Sequence, residues 1–106
     1  MTENELCEKL VLRYGLTKEE ALDIIKDFRQ LFIQRLEELK NSLHVLDYTQ
    51  IKNCAHSLKG ASANIMYDEI AVLFSDIEKA AISQNKDSIA ELIRRAEAVQ
   101  KSGGIL

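Results

Sequence analysis

The sequence predicts an all-α fold, an antiparallel up-down four-helix bundle with a short N-terminal helix. Three observations predict it. The 106 residues contain no proline and only four glycines, so little interrupts a helix. Apolar residues recur at three- and four-residue spacing in four long stretches. Short polar segments with turn or capping residues separate those stretches, so consecutive helices should lie beside one another and run in opposite directions.

The elements follow in order. Thr2-Glu3-Asn4-Glu5 has the capping-box spacing, a Thr followed three residues later by Glu. Leu6, Leu10 and Leu12 come after it and Gly15 ends the run, giving a leader helix over about 3–14. Thr17-Lys18-Glu19-Glu20 repeats the capping pattern ahead of the longest stripe: Ala21, Ile24, Ile25, Phe28, Leu31, Phe32, Arg35, Leu36, Leu39 and Leu43. Asn41-Ser42 marks its expected end and leaves His44 in the following loop. Asp47 supplies a capping oxygen for the next helix, whose inner side is Ile51, Ala55, Leu58, Ser62 and Ile65. A break near Met66-Tyr67-Asp68 precedes a stripe of Ile70, Leu73, Phe74, Ile77, Ala80 and Ala81. Ser83-Gln84-Asn85 reads as a turn. Asp87 or Ser88 starts the last helix, with Ile89, Leu92, Ile93, Ala96 and Val99 inside and Ser102-Gly103-Gly104 at its end. The whole chain, 1–106, reads as a single domain with its bundle over about 17–101.

Composition narrows the function. Hydrophobic residues are 46% and charged residues 29% of the chain, with a net charge of -3, a globular balance without the basic excess of a nucleic-acid binder. Tryptophan is missing, and the few aromatics, Phe28, Phe32 and Phe74 among them, fall on core stripes rather than forming a stacking platform. No apolar run has the eighteen or so residues of a membrane span, and the acidic N-terminus is unlike a signal peptide. Cys7 and Cys54 lie far apart and outside any metal or redox spacing. Two free thiols in a cytoplasmic protein is the simplest reading, with a Cys7–Cys54 bridge as the alternative. Cys54 sits at the edge of an inner stripe, as a small buried hydrophobe would.

Chemistry concentrates in Ala55-His56-Ser57-Leu58-Lys59-Gly60. At about 100° per residue, His56 lies about 140° from the core position Ile51, Lys52 about 100°, Ala63 about 120° and Gly60 about 180°. With Lys59, these form one flank turned towards solvent. A neutral imidazole is a nucleophile. A phosphoryl adduct on it would be anionic, and Lys59, one turn away, places a cation where that anion would sit. Lys52 could add a second. A mid-helix glycine costs about 1 kcal/mol relative to alanine, so Gly60 needs a reason; beside His56, the missing side chain lets another molecule approach the ring. Taken singly, each residue has a blander explanation: a solvated charge, a close helix–helix packing point, an idle surface histidine.

His56-Ser57-Leu58-Lys59-Gly60 resembles the His-x-Leu-Lys-Gly motif of histidine phosphotransfer domains. Leu39, Leu43 and Asp47 precede it at a similar distance, and Ile77-Glu78 falls in the family's usual Leu-Glu place, so the resemblance covers about 28–99. It implies a phosphorelay intermediate rather than an enzyme: His56 accepts a phosphoryl group from a receiver-domain aspartate and passes it to another response regulator. It further implies that Lys59 steadies the phosphoryl group, and that Gly60 clears space for docking near Lys52 and Ala63. The partners implied are receiver domains and a hybrid sensor histidine kinase, with neither nucleic acid nor membrane, and a monomer suits one receiver per domain. No cofactor or metal of its own is expected, since the receiver brings magnesium. Nothing resembles a kinase's ATP-binding domain. One departure stands out: many members carry a glycine about ten residues after the histidine, where the helix turns, and this chain has Met66. The turn is therefore expected elsewhere, or the helix longer. Two other classes compete: a helical-bundle scaffold that binds receiver or kinase domains without phosphotransfer, and a metal-binding bundle. The latter would use Glu-x-x-His pairs, but Asn53 and Asn41 stand three residues before His56 and His44.

Overall fold

The computed structural model describes residues 2–102. Among them are five helices: α1 (Glu3–Tyr14), α2 (Lys18–His44), α3 (Tyr48–Asn64), α4 (Asp68–Ile82) and α5 (Lys86–Lys101). Three-residue connections reverse the chain each time. α2 packs on α3, α3 on α4, α4 on α5 and α5 back on α2, closing an antiparallel bundle. The α3–α4 interface is the most extensive, and α1 packs along α2.

The stripes become the core. Ile25, Phe32, Leu39, Ile51, Leu58, Phe74, Ile77 and Ile89 are fully buried, and Leu6 and Leu10 of α1 nearly so. Phe32 and Phe74 meet edge-on at 5.7 Å between centroids, an arrangement the ring quadrupoles favour. Leu12 is the exception: it is 85% exposed, because α1 turns only its Leu6–Leu10 side inwards. Ser62, fully buried, satisfies its hydroxyl by donating to the Leu58 carbonyl at 2.6 Å.

Capping works largely as the sequence implies. Thr17 and Glu20 form both halves of a capping box, at 2.9 and 3.1 Å. Thr2 accepts from the Glu5 amide, and Asp47 from the Gln50 amide. α2, however, continues through Asn41-Ser42 to His44. His44 is thus a helical residue, not a loop residue, because the Asp47 amide bonds back to the Ser42 carbonyl and closes the helix beyond it. α5 begins at Lys86, earlier than Asp87 or Ser88, because the Asn85 side chain accepts from the Ser88 amide. Its last described residue beyond the helix is Ser102; Gly103-Gly104 lie outside the described residues.

The connections between α2 and α5 share one design. Leu46, Met66 and Gln84 each adopt a left-handed backbone, with φ of 56°, 63° and 53°. In each case the next amide (Asp47, Tyr67, Asn85) bonds to the carbonyl five residues back at 2.9 Å, the signature of a Schellman-type helix end. The turn after α3 therefore sits at Met66, and α3 is not extended. The absence of glycine there does not move the turn: Leu46 and Gln84 take the same left-handed conformation at the ends of α2 and α4, each with the same closing hydrogen bond.

Candidate functional site

α3 presents its inner stripe to the core, so the residues half a turn away face out. His56, Lys52, Gly60 and Ala63 are all exposed on this flank, and Lys59 is half-buried at its edge against α4. The sequence-derived grouping is therefore one continuous surface in the fold.

Glu78, on α4, joins that surface. Its side chain is 17% exposed, and each carboxylate oxygen has one partner: Oε2 lies 2.6 Å from His56 Nδ1, and Oε1 accepts from Lys59 Nζ at 3.0 Å. The Lys59 hydrogen bond is the main cause holding the Glu78 carboxyl below the usual carboxylate range, with His56 helping and burial opposing. Glu78 is therefore ionised at neutral pH. An ionised carboxylate only accepts hydrogen bonds, so His56 Nδ1 must carry a proton. In the neutral ring the lone pair is then on Nε2, in a side chain 69% exposed. The arrangement orients a nucleophilic nitrogen towards solvent beside a cation.

Gly60 has no packing reason. A Cβ built on it meets nothing within 4 Å, so the helix–helix packing explanation fails and the bundle itself would admit a side chain. Lys52 joins none of the ion pairs found among the described residues.

Sequence reasoning places Ile77-Glu78 in the family's Leu-Glu position but assigns Glu78 no part in the site. A signal existed: on a helical wheel it lies only about 40° from the core position Phe74, and a carboxylate at such a boundary usually has a partner. That the partners would be His56 and Lys59 depends on the register of α4 against α3.

The opposite flank of α3 carries a different cluster. Cys54 Sγ lies 3.4 Å from the Arg35 carbonyl and 3.8 Å from Glu38 Oε2, and Arg35 bonds both Glu38 oxygens. Burial and Glu38 push the Cys54 thiol up to about 11, which leaves it unreactive at neutral pH. Cys7 and Cys54 are both free thiols, and no bridge joins them. Among the described residues no three His, Cys, Asp or Glu side chains gather as a metal site, and no helix is long and apolar enough to cross a membrane.

A protein-family model, that of the Hpt domain, matches residues 23–102, most of the chain. Neither the curated proteins nor the solved structures give a match.

Proposed function

The chain belongs to the Hpt domain family, the phosphocarriers of two-component phosphorelays, and from that premise we propose that His56 is its phosphoacceptor. In this proposal a receiver-domain aspartyl phosphate donates to His56 and a second receiver takes the group away. The observation that carries it is the 2.6 Å contact between His56 Nδ1 and Glu78 on an otherwise exposed imidazole.

The step balances without moving a proton. The Nε2 lone pair forms the P–N bond while the P–O bond to the aspartate breaks, its electron pair leaving on the carboxylate oxygen. Nδ1 keeps its hydrogen, and Glu78 neutralises the positive charge that develops on the ring. Transfer onward reverses this: the P–N pair returns to Nε2 and a neutral imidazole departs. Lys59, one turn along, offsets phosphoryl charge, and the bare Gly60 leaves room for the receiver over Ala63, with Lys52 at the rim. Phosphoryl transfer asks chiefly for positioning and charge compensation. The magnesium stays with the receiver, and the carrier needs no cofactor.

The test is direct transfer. Phosphorylated receivers from the same organism are mixed with the protein and magnesium. Acid-labile, base-stable label on the parent, and none on a folded His56→Gln variant, is the expected result. Label retained by the variant refutes the site. No label from any receiver favours a scaffold that binds receiver or kinase domains without accepting phosphate.

A further inference from the structure

We infer that Lys52 is the capture residue of this site: it attracts the incoming aspartyl phosphate of a receiver, while Lys59 acts on a phosphoryl group already at the ring. This deepens the phosphoacceptor proposal and rests on it for the identity of the partner.

Besides His56, α3 carries two ionisable side chains that are charged at neutral pH, Lys52 and Lys59. Lys59 is poorly placed to attract from a distance. Its Nζ lies 3.0 Å from Glu78 Oε1, and the two side chains are only 34% and 17% exposed. With the ring neutral, the charges of His56, Lys59 and Glu78 sum to zero. A pair of opposite charges in contact nearly cancels at distances well beyond its own separation. The nucleophile thus sits in a group that offers a distant anion little attraction, on a chain whose net charge is -3.

Lys52 differs on each count. It is exposed, and it belongs to none of the ion pairs among the described residues. It stands four residues before His56, about 6 Å along the same flank. That is inside the Debye length of about 8 Å at physiological salt. Neighbouring helices do not duplicate its charge. Lys79 follows Glu78 on α4, but it lines the groove between α4 and α5 together with Asp76, Asp87 and Glu91. On α2, across the other flank of α3, Asp27 is exposed and lies about 20° from Glu38 on the helical wheel, so that side repels an anion. An anionic partner therefore meets one uncompensated cation near the ring. Charge placed in this way raises the rate of productive encounter more than the strength of the final complex.

Initial rates of labelling of the whole chain by a phosphorylated receiver are measured against receiver concentration at two ionic strengths. At about 20 mM salt, Lys52→Gln should lower the second-order rate constant about fivefold, the Coulomb scale for one unit charge about 8 Å from a doubly charged anion in water. The loss should lie in the concentration dependence rather than in the rate at saturation, and Lys52→Arg should restore it. At about 0.5 M salt, where screening acts within a few ångströms, parent and Lys52→Gln should converge. Lys79→Gln makes the same change in net charge one helix away and should cost less than about twofold. Equal second-order constants at low salt overturn the inference. So does a deficit undiminished by salt, which marks a contact rather than an attraction. An equal deficit in Lys79→Gln does so too, because it marks net charge rather than position. The two proposals fail separately. Binding of the same phosphorylated receiver to His56→Gln, with and without Lys52→Gln, reads capture without transfer. A salt-dependent Lys52 effect on binding, with label retained by His56→Gln or no uptake by the parent, overturns the phosphoacceptor role alone. Uptake on His56 with a parent-like Lys52→Gln overturns the capture alone, and receivers that neither label nor bind overturn both.

Discussion

Replacing Gly60 by alanine should make the protein more stable and a slower phosphoryl carrier. Gly60 lies inside α3 and is solvent-exposed, and a Cβ there meets nothing within 4 Å. No steric term therefore opposes the gain from helix propensity and from a less flexible unfolded chain, about 1 kcal/mol. For a domain of this size that raises the melting temperature by about 4–8 °C. Thermal and urea unfolding of parent and Gly60→Ala measure the first half. Initial rates of labelling by a phosphorylated receiver measure the second. Gly60→Gln extends the series: a longer side chain should keep most of the stability gain and slow transfer further, because it stands beside the ring of His56. A loss of stability in Gly60→Ala would refute the premise that the bundle does not need this glycine. Undiminished transfer by Gly60→Gln would refute the premise that docking does.

Other outcomes follow from single features of the fold. Gln84 is exposed and left-handed, with φ 53°, so Gln84→Gly should raise stability by up to about 1 kcal/mol in denaturant unfolding, less the added freedom of the unfolded chain. Glu78 has its carboxyl held low in the folded state, so its contribution is present above the ordinary value of 4.5 and is lost as pH falls through the folded value. The stability difference between the parent and Glu78→Gln should accordingly shrink on acidification below about pH 4.5 in urea titrations; a gap that widens in acid refutes the ion-pair assignment. Cys54, pushed up to about 11, should resist alkylation at pH 8 until the chain unfolds, as mass spectrometry of the labelled protein would show.

Much of this architecture is visible in the sequence because burial is periodic. Every member of the Ile51–Ile65 stripe is buried, and the Phe28, Phe32 and Phe74 positions lie in the core as their spacing implies. Helix ends are less visible. Asn41-Ser42 has turn composition, yet Ser42 is a buried helical residue whose carbonyl helps to close α2 further on. Met66 shows the same limit from the other side: a left-handed residue other than glycine leaves no compositional mark. At the candidate site, the residues within α3 are one or two turns apart in a single helix, so their common face follows from spacing alone. Glu78 reaches them across a helix pair, and no local rule gives the register between two helices.

That register has a simple origin. α3 continues eight residues beyond His56 to Asn64, and α4 runs ten residues from Asp68 to Glu78, so the two helical arms that carry these side chains away from the turn are about 12 and 15 Å long. The three-residue connection at 65–67 consequently sets which α4 residue comes level with the imidazole, although it touches neither partner. One residue added there would advance Glu78 by about 1.5 Å and rotate it by about 100°, presenting a different side chain to His56 while leaving every residue of the motif in place. The length of a distant loop is thus as much a determinant of the site as the identity of its histidine, and a chain could keep the whole motif and still lose its chemistry by a single insertion.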